Sequence, residues 1–274
     1  MISIERTITH QNCAEGRPLP DDELQMDKTR SSFILQNKFR RIAGRRRLGV
    51  LWIGLDPVIR SIIYLFVLTV LRSSIKGESL FIGITLWAVL GKSFKSGCAS
   101  VADYSGGIMA ERIRTRALIP PIIKFRIIES FASTIGAALV LAVYFGVDLL
   151  GVVGFLIIGQ TIGILFEGLG QNVAMMAKRV PDINNIINHF LRFMFYASPV
   201  LYPMTLTSGI HYRLNEWNPF TYFVELSRKL AGLDSVYDDL NLAIFLVYLV
   251  VLIVMAFRGF GRIDRNRWEL SSWS

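Results

Sequence analysis

Three consecutive arginines, Arg45 to Arg47, stand directly before an apolar stretch. They mark the predicted boundary between a segment in water and a segment in a membrane. The stretch runs from about Val50 to Leu71, and its acidic and basic residues are Asp56 and Arg60. A basic group followed by an aromatic residue and about 20 apolar residues is typical of a headgroup anchor that leads into a membrane helix. Because later apolar blocks repeat this pattern, the sequence predicts a protein with several membrane spans.

The composition favours membrane insertion over nucleic-acid binding. Of the 274 residues, 52% are hydrophobic and 19% are charged, and the mean hydropathy is +0.44. The net charge of +9 would suit nucleic acid, but the cations gather at the ends of the apolar blocks, which is a signal of membrane topology. We therefore expect no nucleic acid as a partner. Cys13 and Cys98 are too far apart for a metal motif, so no metal site is expected.

The chain divides into four predicted segments. Residues 1–26 contain prolines and an acidic patch, which predicts a flexible cytoplasmic tail. Residues 27–47 mix aromatic and basic side chains and predict an amphipathic helix on the inner leaflet; a solvated helix against a partner is the alternative. Residues 48–258 would form the membrane domain, and residues 259–274 a cytoplasmic C-terminal tail. Because the first apolar block follows a polar tail, we expect it to be retained and not cleaved as a signal peptide.

The predicted fold class is an all-α integral membrane protein with six transmembrane helices. The connection Gly146-Val147-Asp148 is so short that the third and fourth helices must be antiparallel neighbours. The predicted spans are about Val50–Leu71, Leu80–Val101, Ile122–Phe145, Leu149–Met176, Ile186–Leu201 and Leu240–Phe257.

Lysines and arginines set the predicted orientation, because cytoplasmic loops carry an excess of them. Basic groups alternate along the chain with loops that are less basic or are offset by acidic residues. Both termini are therefore expected in the cytoplasm. The basic groups lie within Lys38–Arg47, Arg112–Arg126, Lys178–Arg179 and Arg258–Arg267.

A long segment between the fifth and sixth predicted spans is rich in proline and aromatic residues. Irregular backbone at membrane depth is tolerated only where protein or a water-filled cavity surrounds it. We therefore predict short re-entrant helices in this segment, with an outer gate formed by Pro199, Pro203 and Pro219.

Three motifs, in this order, resemble those of ABC-2 type permeases that export polysaccharides. The first-helix entry is RRRLGVLWIGLDPVIRSIIYLFV, residues 45–67; the fifth-helix segment is RVPDINNIINHFLRFMFYASPVLYP, residues 179–203; and the outer-loop segment is NPFTYFVELSR, residues 218–228. The resemblance covers residues from about 30 to 265. The chain departs from the family pattern between the second and third helices, where Arg114-Thr115-Arg116 stands in place of Phe-Pro-Arg.

The resemblance implies a transport subunit without catalytic residues, working as a homodimer with two ABC ATPase subunits. The implied cargo is a lipid-linked polysaccharide of the O-antigen, teichoic acid or capsule type, moved across the bacterial cytoplasmic (inner) membrane. The chain has no G-x-x-x-x-G-K-[ST] phosphate loop. We therefore expect no cofactor in this chain, with ATP bound by the partner subunit and membrane lipids around the spans.

The segment Tyr104–Pro121 is the candidate contact with that ATPase. It is polar and basic, and it is longer than the roughly 2–8 residues typical of a connection between bundled helices. An ordinary inside loop is the alternative. The candidate coupling residues are Tyr104, Ile108, Met109, Arg112, Arg114 and Arg116.

Lys92 and Lys95 are the strongest signal inside a predicted span. Their i, i+3 spacing places them on one helical face, and a lysine facing lipid at the bilayer centre costs about 2.5–3.5 kcal/mol on insertion scales. One interpretation is contact with a phosphate-bearing lipid carrier or an anionic glycan. The other is that the second helix ends early and both side chains extend to the cytoplasmic surface.

Other charged residues of the spans favour structural pairing. Asp56 and Arg60 have the i, i+4 spacing of an intrahelical ion pair. Glu129 and Glu167 are expected to pair with Arg126 or with a lysine of the second span.

Aromatic side chains are candidates for the path of a sugar chain, because their faces give hydrophobic contact without tight hydrogen bonds. The candidates are Trp87, Tyr196, Tyr222 and Phe223. Each also fits an interfacial belt or ordinary packing.

Three rival functions stay open from the sequence. One is an ABC-2 exporter of a drug or a small lipid, and another is a structural membrane subunit without a pore. The third is a membrane-embedded glycolipid enzyme, but His10, His189 and His211 are scattered and lack the spacing of a metal or acid–base site.

Overall fold

The computed structural model describes residues 51–70, 76–104, 115–180, 182–237 and 242–271, together with a few single residues between 25 and 40. Throughout these ranges the regular structure is helical, which confirms the predicted all-α class. Most of the tail and amphipathic helix predicted over residues 1–47 lies outside them. The helices are α1 (Leu51–Val70), α2 (Gly77–Tyr104), α3 (Thr115–Val143), α4 (Leu149–Arg179), α5 (Asp182–Ala197), α6 (Gly209–Glu216), α7 (Pro219–Leu230) and α8 (Leu242–Ser271).

Each of the six predicted spans falls on one of these helices, α1 to α5 and α8. Within the described ranges, three segments are long and apolar enough to cross a membrane: Ile119–Val143, Leu149–Arg179 and Leu242–Arg262. Because α5 has 16 residues and α2 carries two lysines near its middle, six complete spans stay a prediction. Helix α8 continues to Ser271, so much of the predicted C-terminal tail is helical.

Helix α4 lies at the centre of the fold, between α2, α3 and α8. Its glycines let neighbouring backbones come close, as small residues do at helix interfaces. Gly170 faces Gly97 of α2, and a Cβ added at Gly170 would lie 2.9 Å from the Gly97 Cα. Towards α8, a Cβ added at Gly168 would lie 2.7 Å from the Ala256 Cα. The glycines of α4 therefore allow α2 and α8 to pack closely against it.

Helices α3 and α4 are antiparallel neighbours, as the short connection between them predicts. Gly146 turns the chain with a φ of +68°, a conformation that glycine adopts without steric cost. Contacts between the two helices therefore move towards the C-terminus of α4 as they move towards the N-terminus of α3. The meeting pairs are Thr134 with Gly159, Ser130 with Gly163, and Arg126 with Glu167.

The segment between α5 and α8 contains two short helices, α6 and α7, at the place where re-entrant helices were predicted. Asn218 caps α7, since its side-chain oxygen accepts from the Phe220 amide at 3.1 Å while Pro219 occupies the first helical turn. The other side-chain atom of Asn218, Nδ2, donates to Ser198 Oγ at 2.9 Å and ties α7 to the end of α5. Helix α7 is thereby held against the core.

Large apolar side chains are exposed on α1, α5 and α8, and on α5 they stand beside exposed polar residues such as Asn188 and Arg192. Phe66, Phe193 and Phe257 are 69%, 65% and 73% exposed. Contiguous apolar surfaces of this kind contact lipid or another protein. These helices therefore present the surfaces on which a bilayer or a partner chain would pack.

Candidate functional site

Charged side chains on the long helices and on α7 gather in three clusters within the described ranges. The α3–α4 cluster comprises Arg126, Glu129 and Glu167. The α7 cluster comprises Glu225 and Arg228. The α1–α2 cluster comprises Asp56, Arg60 and Lys92.

The α3–α4 cluster is buried and closed. Arg126 donates from Nε and Nη2 to Glu167 Oε2 at 2.9 and 2.6 Å, and from Nη1 to Glu129 Oε2 at 2.7 Å. The other oxygen of Glu167 accepts from Ser96 Oγ at 3.4 Å and Gln171 Nε2 at 3.5 Å. Of the partners left open for the two glutamates, the structure shows Arg126 for both. The cluster joins α2, α3 and α4.

The α7 cluster is fully buried and was not singled out from the sequence. Arg228 Nη1 donates to Glu225 Oε1 at 2.7 Å, and both side chains are 0% exposed. Glu225 Oε2 also accepts from Ser235 Oγ at 3.0 Å and from the Val236 amide at 3.2 Å. The i, i+3 spacing of opposite charges inside an aromatic helix is the signal that would have found this pair.

Arg228 extends the α7 cluster to two other elements. Its Nη2 lies 3.4 Å from the Ser79 carbonyl at the start of α2 and 3.5 Å from the Val200 carbonyl after α5. Glu225 Oε1 accepts at 3.4 Å from the amide of Met204, which begins a single 3₁₀ turn (Met204–Leu206). The pair therefore ties α7 to the start of α2, to the turns after α5 and to the chain that directly follows α7.

The α1–α2 cluster differs from the other two because it is open. Asp56 Oδ2 lies 2.9 Å from Arg60 Nη2, which confirms the predicted intrahelical pair, and 3.6 Å from Lys92 Nζ on the neighbouring helix. The three side chains are 31–47% exposed, and Lys95 is exposed one turn further along α2. Positive charge therefore reaches the surface of the fold here.

Both lysines lie well inside α2. The helix continues from Lys92 for about 18 Å to Tyr104 and runs about 22 Å back to Gly77, at 1.5 Å per residue. The second helix therefore does not end early at these lysines, while extension of both side chains to the cytoplasmic surface stays an alternative. The lysines stand on a continuous helix as long as a membrane is thick.

The four aromatic candidates lie in different surroundings. Trp87 packs between Phe195 and Phe220, with ring centroids 6.1 and 5.1 Å away, whereas Tyr196 is exposed. The other two candidates, Tyr222 and Phe223, are buried within the protomer.

Tyr222 and Phe223 both pack on Phe245 of α8. Tyr222 stacks on the Phe245 ring at 5.3 Å and donates from its hydroxyl to the Glu216 carbonyl at 2.9 Å. Phe223 meets the same ring edge-on at 5.5 Å. The structure therefore does not bring these two rings to the surface that carries Lys92 and Lys95.

The predicted gate prolines shape the turns around α6 and α7. Pro199 is buried in the turn that follows α5, Pro203 precedes the 3₁₀ turn, and Pro219 begins α7. Beside them, Tyr202 donates from its hydroxyl to the Ala197 carbonyl at 3.1 Å. Burial raises the pKa of the Tyr202 hydroxyl above its ordinary value. The gate itself stays a prediction.

The predicted coupling segment is described only at its two ends. Tyr104 is the last residue of α2, and Arg116 lies in the first turn of α3. The other candidates lie outside the described residues: Ile108, Met109, Arg112 and Arg114. Tyr104 lies at the end of α2 opposite Gly77, and Arg116 lies near the end of α3 opposite Gly146.

Metal-ligating side chains do not gather in the described part of the chain. No group of three or more histidine, cysteine, aspartate or glutamate side chains there could hold a metal ion. His189 lies on α5 and His211 on α6, and the His211 Nε2 is 2.8 Å from the Tyr202 hydroxyl.

Comparison with known proteins agrees with the motifs. The model of the ABC-2 type transporter family matches residues 31–231. The O-antigen export system permease protein RfbA of Myxococcus xanthus is 25% identical to this chain over 167 residues. That match covers 58% of this chain and 62% of the relative, so it spans less than two thirds of the relative's length.

Proposed function

Because this chain belongs to the ABC-2 type transporter family, we propose that it is the membrane subunit of a bacterial exporter that carries a lipid-linked polysaccharide across the cytoplasmic membrane. The similarity to an O-antigen export permease supports this cargo. The three motifs in residues 45–67, 179–203 and 218–228 support the permease role more than they support this cargo.

The observation that carries the proposal is the open α1–α2 cluster. Charged side chains that are exposed in the middle of a membrane helix are costly against lipid, so they face water, a partner or a polar cargo. In the proposed six-span arrangement Asp56, Arg60, Lys92 and Lys95 would be such side chains, because they are exposed and lie within the first and second spans. A polar path past α1 and α2 is what the export of a phosphate-linked sugar chain needs.

In this proposal two copies of the chain enclose the path. The exposed apolar faces of α1 and α5 would meet the second copy, while Lys92, Lys95, Trp87 and Tyr196 would line the conduit. Tyr222 and Phe223 would support it from within the protomer. A homodimer with cytoplasmic termini fits the alternation of basic loops.

The work of transport would come from a separate ATPase subunit, two copies for each dimer. The sequence contains Gly91-Lys92-Ser93, but Leu86 stands where a phosphate loop has its first glycine, and the tripeptide lies inside α2. ATP-driven movement would enter through residues 104–121 and open the proline-rich outer segment.

Deletion of the gene tests the cargo. We expect an envelope polysaccharide to accumulate inside the cell and to disappear from the surface, both reversed by the wild-type gene. A complementing copy with Lys92→Ala and Lys95→Ala should restore export poorly. Unchanged surface polysaccharide in the deletion strain, together with loss of resistance to a drug, would assign the cargo to the rival class of small-molecule exporters.

A further inference from the structure

The α1–α2 cluster supports a more specific assignment, which rests on the proposed lipid-linked cargo. We propose that Arg60, Lys92 and Lys95 bind the phosphate group of a lipid phosphate. Asp56 is a built-in competitor that holds Arg60 and Lys92 until the phosphate displaces it.

The geometry places one carboxylate between two cations from different helices. The same oxygen, Asp56 Oδ2, lies 2.9 Å from Arg60 Nη2 and 3.6 Å from Lys92 Nζ. Lys95 is exposed one turn further along α2, so the surface here carries three cations and one carboxylate. The group therefore keeps a formal excess of positive charge that an incoming anion would neutralise.

Exposure separates this cluster from the other two. The Asp56, Arg60 and Lys92 side chains are 31–47% exposed, whereas the central arginines of the α3–α4 and α7 clusters are 2% and 0% exposed. Those buried arginines already donate to protein carboxylates at 2.6–2.9 Å. An anion from outside the fold therefore has access to the α1–α2 cluster and not to the buried pairs.

The chemistry of the cations suits phosphate. An arginine presents paired donors that match phosphate oxygens, and lysine adds a compact point charge. A phosphate offers more acceptor oxygens than the single Asp56 oxygen that Arg60 and Lys92 now share. Exchange of the carboxylate for a phosphate therefore conserves charge pairing while it adds hydrogen bonds.

The neighbouring surface of α1 suits the lipid tail. Ile63 and Val67 follow Arg60 at helical i, i+3 and i+7 spacing, so they continue the same face, and they are 57% and 43% exposed. Trp52, one turn before Asp56, is also exposed. A charged group flanked along one helix face by apolar side chains fits an amphiphile better than a free inorganic ion.

Binding of a lipid phosphate by the purified full-length chain tests the assignment. The chain is placed in phosphatidylcholine nanodiscs and titrated with dansyl-labelled decaprenyl phosphate. Because exposed charge pairs contribute modestly, we expect Asp56→Asn to bind the probe about two- to fivefold more tightly. Arg60→Gln and Lys92→Gln should each bind it more weakly by a similar factor.

Glu78→Gln is the matched control, because it removes the same charge at the far end of α2, and its affinity should equal that of the wild type. If Asp56 had only a structural role, Asp56→Asn would weaken binding as Arg60→Gln and Lys92→Gln do. Tighter binding by Asp56→Asn therefore distinguishes a competitor from a structural residue. Unchanged or weaker binding by Asp56→Asn overturns the competitor role.

Two further ligands decide the chemistry and the source of the anion. Dansyl-labelled decaprenol lacks the phosphate, and equal affinity for it would overturn the phosphate site. Inorganic pyrophosphate that displaces the lipid probe at equal concentration would overturn the lipid specificity. Absence of probe binding by the wild type would overturn this site while gene deletion still blocks polysaccharide export, so the two proposals fail separately.

Discussion

At the scale of single residues, burial decides what a charged pair does. Glu225 and Arg228 are closed off from solvent, and their remaining acceptors and donors reach α2, the turn after α5 and the chain after α7. Asp56 and Arg60 have similar pair geometry but are exposed. The first pair therefore stabilises the fold, whereas the second is available to a ligand.

Removal of one partner of the α7 cluster should destabilise the protein strongly. Glu225→Gln leaves the buried Arg228 charge without its carboxylate, and breaking a buried pair in this way costs about 3–5 kcal/mol. The double variant Glu225→Leu with Arg228→Met removes both charges and should lose less. Thermal unfolding in detergent measures both, with the partly exposed Glu78→Gln as the single-charge control. Equal losses in the single and double variants would contradict the pairing.

The two glutamates of the α3–α4 cluster should differ in importance. Glu167 accepts two hydrogen bonds from Arg126 and lies deeper than Glu129, which accepts one. Glu167→Gln should therefore lower the midpoint of thermal unfolding more than Glu129→Gln does. The reverse order would show that Arg126 depends mainly on its neighbour within α3.

At the scale of helices, the close approach of α2 and α4 depends on glycine. Gly97 and Gly170 lie opposite each other, and a Cβ on Gly170 would also lie 2.9 Å from the Cys98 amide nitrogen. Backbone atoms cannot move aside as a flexible side chain can. The interface therefore excludes any side chain larger than hydrogen at these two positions.

Gly97→Ala should destabilise the helix pair by about 1–3 kcal/mol, the range for overpacking a tight interior. Gly91→Ala on the same helix is the matched control, because a Cβ there would meet no heavy atom of the described chain within 4 Å. That control should be neutral or more stable, since alanine favours a helix over glycine. Unfolding in detergent compares the two, and equal stability would contradict the packing.

Hydrophobic periodicity and local residue spacing were enough to place the helices and the ion pair within one helix. The apolar blocks located α1 to α5 and α8, the i, i+4 spacing located Asp56 with Arg60, and the prolines located the end of α5. These features depend on residues that are close in sequence. They follow from helix geometry alone.

Contacts between residues that are far apart in the sequence were not predictable in the same way. Lys92 joins Asp56 only because α1 and α2 pack together. Tyr222 and Phe223 have the composition of a sugar-contact surface, but the return of α8 buries them against Phe245. Burial depends on which helices meet, and a single sequence does not state that.

At the scale of the whole molecule, the arrangement suits one half of a membrane conduit. The central helix α4 is enclosed by α2, α3 and α8, while α1 and α5 keep apolar and charged surface exposed. Surface of this kind contacts lipid, a partner chain or a polar cargo. The proposed second copy and ATPase would use the two sides that this fold leaves open.

Reporter fusions test the proposed orientation. A fluorescent protein fused after Ser274 should fluoresce, because the C-terminus is expected in the cytoplasm. Alkaline phosphatase inserted at Gly146 or Gly232, two turn glycines with positive φ, should be active on the outer side. Active phosphatase at both Gly146 and the C-terminus would contradict the six-span topology, because three predicted spans separate the two positions.

Reconstitution tests the central claim most directly, that this chain is a conduit powered by a separate ATPase. The purified chain is placed in liposomes with a labelled lipid-linked polysaccharide, with and without its ATPase partner, and both ATP hydrolysis and polymer crossing are measured. We predict neither activity from the chain alone and ATP-dependent crossing when the partner is present. ATP hydrolysis by the isolated chain, or crossing that needs no ATPase, would contradict the account.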